Sequence, residues 1–226
     1  MENETPIRGR IENMGVLNLL SVRTIEELEG IVSIENVGCV LLPESLGAAA
    51  ARIPMENVGS VVTVPTDGKL NVMTGQAVMS GEAIAGGDPD TLLVVAGQLM
   101  ITSPVPKVGF RGIHVAGQLL APKGSEVALG TGITSLSGQI AYYPMGARMF
   151  IGHDELGAEF FRYLADGTPF AIMGHVAIQD DVSPELLRQK VSEISLYGHL
   201  EGPKAALGLA QFLCVEKHGH LSAREG

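Results

Sequence analysis

Leu93–Ile140 carries one phrase three times: Val94-Val95-Ala96-Gly97-Gln98-Leu99, His114-Val115-Ala116-Gly117-Gln118-Leu119 and Ser135-Leu136-Ser137-Gly138-Gln139-Ile140. The glycines stand 20 and then 21 residues apart. A recurrence at this period marks a chain built of stacked repeats, each one coil resting on its neighbours. It speaks to construction and not to chemistry.

Working outward, Val72-Met73-Thr74-Gly75-Gln76 is a further copy. A sister phrase precedes it in Ile11-Glu12-Asn13-Met14-Gly15, Ile34-Glu35-Asn36-Val37-Gly38 and Met55-Glu56-Asn57-Val58-Gly59. From Gly59 to Gly75 is only 16 residues, which reads as a short coil. After Gly138 the rhythm stops for 36 residues and resumes at Ile172-Met173-Gly174-His175-Val176 and Leu196-Tyr197-Gly198-His199-Leu200. Nine copies result. Two places after each glycine stand Leu17, Val40, Val61, Ala77, Leu99, Leu119, Ile140, Val176 and Leu200, all apolar. One place after, the column turns polar from Ser60 onward and ends in Gln76, Gln98, Gln118, Gln139, His175 and His199. Adjacent positions of opposite character are the period of a strand, with one side chain in and the next out. Pro43, Pro65, Pro122, Pro144 and Pro203 follow the strands, where a missing N–H ends a ladder.

The linkers predict helices toward the ends. Thr24 and Glu27 space as a capping box before Gly30, Pro43 precedes an alanine-rich turn, and Ser183 with Pro184 reads as a helix start. The middle linkers, Ser103–Gly109 and Lys123–Ser125, read as loops. The expected organisation is one solenoid domain over 7–213. It has an insertion at about 146–169 that includes Phe160, Phe161 and Tyr163, a C-terminal cap at about 203–213, and flexible tails at 1–6 and 214–226. Helices near both ends would block end-to-end stacking.

The chain has 226 residues, 46 % hydrophobic and 18 % charged, with no Trp. This supplies an aliphatic core and little disorder. A net charge of −10 argues against nucleic acid, whose phosphates need clustered cations, and against an anionic membrane surface. No apolar run reaches the roughly 18 residues that span a bilayer. The acidic opening Met1–Pro6 is not a signal peptide. Cys39 and Cys214, the only cysteines, lack zinc spacing and fit a reducing compartment. A cytoplasmic protein is the expectation.

Three sets of residues are candidates for a site. Asn13, Asn36 and Asn57 share a column and predict a structural amide ladder. Gln76, Gln98, Gln118 and Gln139, continued by His175 and His199, predict a ladder on a β-face that serves binding. His153, His175 and His199, with Asp180 or Asp181, are candidate metal ligands; against that, no further ligand has motif-like spacing, and no metal or other cofactor is assigned. Gly130-Thr131-Gly132 is not a phosphate loop, no Gly-x-Ser-x-Gly elbow is present, and the acids are scattered. No catalytic residue emerges.

The glycine-punctuated rhythm of residues 70–145 resembles bactofilins, bacterial β-solenoid scaffold proteins that polymerise end to end, although the coil here is longer. The first coils, with Leu28, Ile31, Ile34 and Asn36, resemble a leucine-rich repeat. The resulting expectation is a mainly β, right-handed β-solenoid of about nine coils with helical decorations; a leucine-rich-repeat-like α/β solenoid is the alternative. For function, the expectation is a non-enzymatic scaffold that forms a homo-oligomer, a two-fold dimer through the glutamine face. The alternatives are a protein- or peptide-binding module, its partner unidentified, and a metal-dependent or carbohydrate-active enzyme centred on His153, His175 and His199.

Overall fold

The structure, a computed structural model, describes residues 8–65 and 68–224. The expected tail at 1–6 lies outside the described residues. The chain is mainly β, with parallel strands in several sheets, and divides into two compact units that meet in sequence between Tyr142 and Tyr143. Among the described residues, no helix is long and apolar enough to cross a membrane.

The first unit opens with β1 (Gly9–Asn18), β2 (Ile31–Pro43) and β3 (Met55–Val64), a parallel sheet in that order. Helix α1 (Ile25–Leu28) links β1 to β2. A 3-10 turn (Glu44–Leu46) and α2 (Gly47–Ala50) link β2 to β3. The expected capping box does not form at α1: Thr24 makes no side-chain cap bond, and the Glu27 carboxylate accepts from the Arg23 N–H at 2.7 Å, one residue before the cap. A second sheet follows, ordered β4 (Lys69–Met79), β5 (Thr91–Ile101), β6 (Gly112–Pro122) and β7 (Ile133–Tyr143). Its connections include α3 (Gly81–Ala85) and α4 (Glu126–Gly132). Ser103–Gly109 and Lys123–Ser125 are loops, as their sequence reads, and the two helices lie outside them.

The two sheets lie face to face. Cys39, Leu41, Val62 and Val64 of the first pack with Val94 of the second, flanked by Leu70, Leu92, Ala96 and Ala116. The outer face of the first sheet buries Ile34, Val37, Val40 and Leu42 against Leu28, Leu46 and Ala50. The outer face of the second buries Leu93, Val95, Leu99 and Leu119 against Ile84 and Leu129. Strand β5 is therefore covered on both sides, which is why Leu92 to Ala96 is an unbroken apolar run. Each large aliphatic side chain so buried contributes about 1.5–3 kcal/mol.

This arrangement corrects the expected short coil. β3 and β4 do not pair. The 16-residue spacing is where the chain leaves one sheet for the other, so the glycine copies belong to separate sheets and do not form one series. The inward column is also less uniform than expected. Val61, on the edge strand β3 with no helix after it, is 44 % exposed. Ile140, on edge strand β7, is half-buried.

The second unit repeats strand, corner, strand, helix. It runs β8 (Arg148–Phe150), β9 (His153–Leu156), α5 (Ala158–Tyr163), β10 (Thr168–Ile172), β11 (His175–Ile178), α6 (Pro184–Lys190), β12 (Val191–Leu196), β13 (His199–Gly202), α7 (Lys204–Leu213), β14 (Cys214–Lys217) and β15 (His220–Ala223). The first strand of each repeat joins the sheet β8-β10-β12-β14, and the second joins β9-β11-β13-β15; all printed pairings are parallel. Phe150, Ile172 and Leu196 from one sheet, Val176 and Leu200 from the other, and Phe161, Leu187 and Ala210 from the helices form one core. Ser183 caps α6 by accepting from the Leu186 N–H at 3.2 Å, with Pro184 at the first position.

Three expectations are corrected here. Residues 146–169 are not an insertion: they supply β8, β9 and α5, a full repeat in register with the next. Residues 204–213 do form a helix, but it leads into β14 and β15 and does not end the unit, so 214–224 is not a tail. The helices form a layer beside the strands and do not close the ends of the stack.

Glycine recurs because successive coils touch there. A Cβ on Gly38 or Gly59 would strike the carbonyl of Gly15 or Gly38; Gly97, Gly117 and Gly138 stand in the same relation to Gly75, Gly97 and Gly117. Gly174, Gly198 and Gly219 do so to Gly152, Gly174 and Gly198. Three columns thus mark three stacks.

Candidate functional site

The polar columns stand beside these glycines. Asn13, Asn36 and Asn57 adopt left-handed backbone (φ 60°, 52° and 52°), which Asn tolerates better than most residues. Their amides form a chain: Asn57 donates to Asn36 at 3.0 Å, and Asn36 to Asn13 at 3.3 Å. In register beside them run Glu12, Glu35 and Glu56. Arg10 pairs with Glu12 and Glu35, and its hydrogen bond holds the Glu35 carboxyl below its ordinary value.

Gln76 donates to Gln98 at 2.8 Å, and Gln98 to Gln118 at 2.7 Å. Gln139 occupies the fourth rung on β7, with no side-chain bond to Gln118 among the described contacts. The outer rungs Gln76 and Gln139 are exposed, but the middle of the column is partly covered. Gln98 and Gln118 are half-buried, and Met100 and Leu120, two places on, are fully buried.

The histidines form a separate column in the second unit, which corrects the single Gln–His ladder. His153, His175, His199 and His220 are register partners on β9, β11, β13 and β15. Ring centroids lie 4.5 Å apart for His153–His175 (edge-on), 4.7 Å for His175–His199 (stacked) and 5.2 Å for His199–His220 (edge-on). The His175 Nε2 atom lies 3.6 Å from a Glu201 oxygen, and His199 Nε2 is 2.7 Å from the Ser222 hydroxyl. His153 and His220 escaped the sequence columns, but the signal was there: Ile151-Gly152-His153 and His218-Gly219-His220 match Met173-Gly174-His175 and Tyr197-Gly198-His199.

Rings stacked along a column present their faces and edges to one another and do not aim nitrogens at a common point. Among the described residues, no group of three or more His, Cys, Asp or Glu is placed to hold a metal ion. Asp181 accepts from the Ala158 N–H at 3.1 Å and so ties α5 to the following coil; Asp180 is exposed. Other coil-to-coil contacts run beside the column. Gln179 donates to Glu155 at 2.8 Å and Arg224 donates to Gln179 at 2.9 Å. The Tyr197 hydroxyl donates to Glu216 at 2.8 Å, while its ring stacks on His218.

Two further groups bear on chemistry. His114 is 5 % exposed, on the side of β6 that faces the first sheet, and its Nε2 has no partner. Burial lowers its pKa below the ordinary value. Cys39 and Cys214 are free thiols, both raised by burial, the reverse of an activated nucleophile. A shallow groove lined by Val105, Lys107, Phe110, Arg111, Val127 and Thr131 holds no carboxylate, His or Cys. Comparison with protein-family models, with curated proteins and with solved structures finds no match for this chain.

Proposed function

We propose that this chain is a non-enzymatic structural protein that self-associates through its stacked coils, in the cytoplasm and without nucleic acid or membrane as partner. On this reading its repeats are turns of a β-solenoid type, wound right-handed as parallel crossovers are. The observation that carries it is what the polar side chains do. The asparagines, glutamines and Asp181, Gln179, Glu155 and Arg224 hold one coil to the next, and among the described residues no nucleophile, base and charge stabiliser converge on one point. Such a body has extended surface and no reaction centre.

The glutamine column supports a face-to-face dimer poorly, because its middle rungs Gln98 and Gln118 are half-buried beside the buried Met100 and Leu120; the edges of the sheets are the better surface for assembly. Sedimentation across a concentration series tests the reading. Mass that rises with concentration supports it, and a monomer at high micromolar concentration refutes it. The metal-dependent alternative draws on the four-histidine column. Stoichiometric metal in the purified chain, lost in His175→Ala/His199→Ala, would favour that alternative.

A further inference from the structure

In the second unit the first glycine of the column differs from the rest. Gly174, Gly198 and Gly219 have no room for a Cβ, because the carbonyl of the preceding glycine is in the way. Gly152 has nothing within 4 Å of that position, and its backbone is not left-handed. Nothing among the described residues requires glycine there. At the opposite end, the Gly152, Gly174 and Gly198 carbonyls accept N–H bonds from His175, His199 and His220 at 2.8, 2.8 and 2.9 Å. Among the described residues, the Gly219 carbonyl accepts none. One end of the stack has an unused recess, and the other has the carbonyl that fits it.

In the first unit Gly15 and Gly75 likewise have nothing within 4 Å of a Cβ position, but one stack end there is closed. Its first stack ends at Gly59, whose carbonyl accepts from the Ser137 hydroxyl at 2.6 Å. β7 supplies the cap.

The second unit's ends are also charged in opposite senses. The column Val176, Leu200, Leu221 begins with Asp154 on β9. The column Phe150, Ile172, Leu196 ends with Lys217 on β14. Both columns otherwise point into the core, and both charged residues are exposed, with no ion-pair partner among the described residues. A lone inward charge on an edge strand blocks pairing. Opposite charges on opposite edges block like-with-like pairing and permit head-to-tail pairing, which brings them to one junction.

We propose that a second copy of this chain stacks head to tail on this unit. β8 and β9 of one copy run parallel to β14 and β15 of the next, Gly152 rests on the partner's Gly219 carbonyl, and Asp154 takes the rung beside the partner's Leu221, across the corner between the two sheets from the partner's Lys217. The histidine column then continues across the junction, with His153 beside the partner's His220. The proposal rests on the self-association reading and names the surface for it.

The test uses the full chain in sedimentation velocity over a concentration series, with circular dichroism to verify folding. Asp154→Lys or Lys217→Asp alone raises the concentration needed for association by about tenfold or more, since each sets like charges at the junction. Asp154→Lys/Lys217→Asp restores association, and Gly152→Ala removes it while leaving the fold intact. If wild type associates but is indifferent to all of these changes, the junction is elsewhere: this inference fails and the self-association reading stands. A double variant no better than the single ones overturns the charge pairing. A wild type that stays monomeric removes both.

Discussion

The two units use the same device, a glycine column with a polar column beside it, and finish it differently. In the first unit the rungs are amides, which donate on one side and accept on the other and so satisfy one another indefinitely. That unit also places a second sheet over the first and closes the Gly59 end with Ser137. In the second unit the rungs are imidazoles in ring contact, and the Gly152 and Gly219 ends of its stack have no such closing bond among the described residues. The lesson is that glycine-on-carbonyl contact sets the coil spacing, while the neighbouring column and the end residues decide whether the stack is finished within the chain.

The largest expected effect tests the inside–outside phase of the first unit. Leu119 is fully buried beneath α4 and Gln118 is a half-exposed rung. Leu119→Asp should cost about 4 kcal/mol or more in urea melts, from lost burial and an unpaired carboxylate. Gln118→Asp should cost about 1 kcal/mol. Equal costs would mean that the phase is wrong.

Next comes the contrast between an internal and a terminal glycine in the second unit. Gly174→Ala forces a methyl onto the Gly152 carbonyl and should destabilise by about 3 kcal/mol. At a dilution where the wild type is monomeric, Gly152→Ala should leave the melting transition unchanged. A matching loss at both positions would deny that coil contact is what requires glycine.

The asparagine column gives a smaller effect. Asn36→Ala loses two ladder bonds and strains a left-handed residue, for about 2 kcal/mol. Asn36→Gly, which relieves the backbone alone, should recover about half of that. A glycine variant as unstable as the alanine one would place the whole effect in the ladder.

The smallest effect separates the units by pH. Burial disfavours the charged imidazole of His114, so its folded pKa lies below the ordinary histidine value of about 6.5. The unfolded chain binds that proton more readily. Stability is therefore full above about pH 6.5 and declines as pH falls below it toward the folded value. His114→Leu should flatten the decline for the first unit. An unchanged slope would assign acid sensitivity to other groups.

Much of this was legible in the chain, for a physical reason. Where a coil rests on a carbonyl only glycine fits, so Gly97, Gly117 and Gly138 announce themselves. Ser183 and Pro184 announce α6 because a helix start leaves N–H groups to satisfy. The passage from β3 to β4 was not legible. Sixteen residues between glycines look like a short coil, and only packing shows that Val62 and Val64 face a second sheet. The repeat at Gly152 was hidden because Asp154 stands where the column calls for an aliphatic residue, as an end strand allows. The rung at His220 was hidden in a polar segment that read as a tail. The glutamine and histidine columns looked continuous because sequence spacing carries no information about which sheet a strand joins.

Electron microscopy of the concentrated full chain tests the central claim most directly. Self-association through open coil edges predicts rods of several copies joined along one axis, shortening on dilution. Discrete particles of a single copy at every concentration would contradict it.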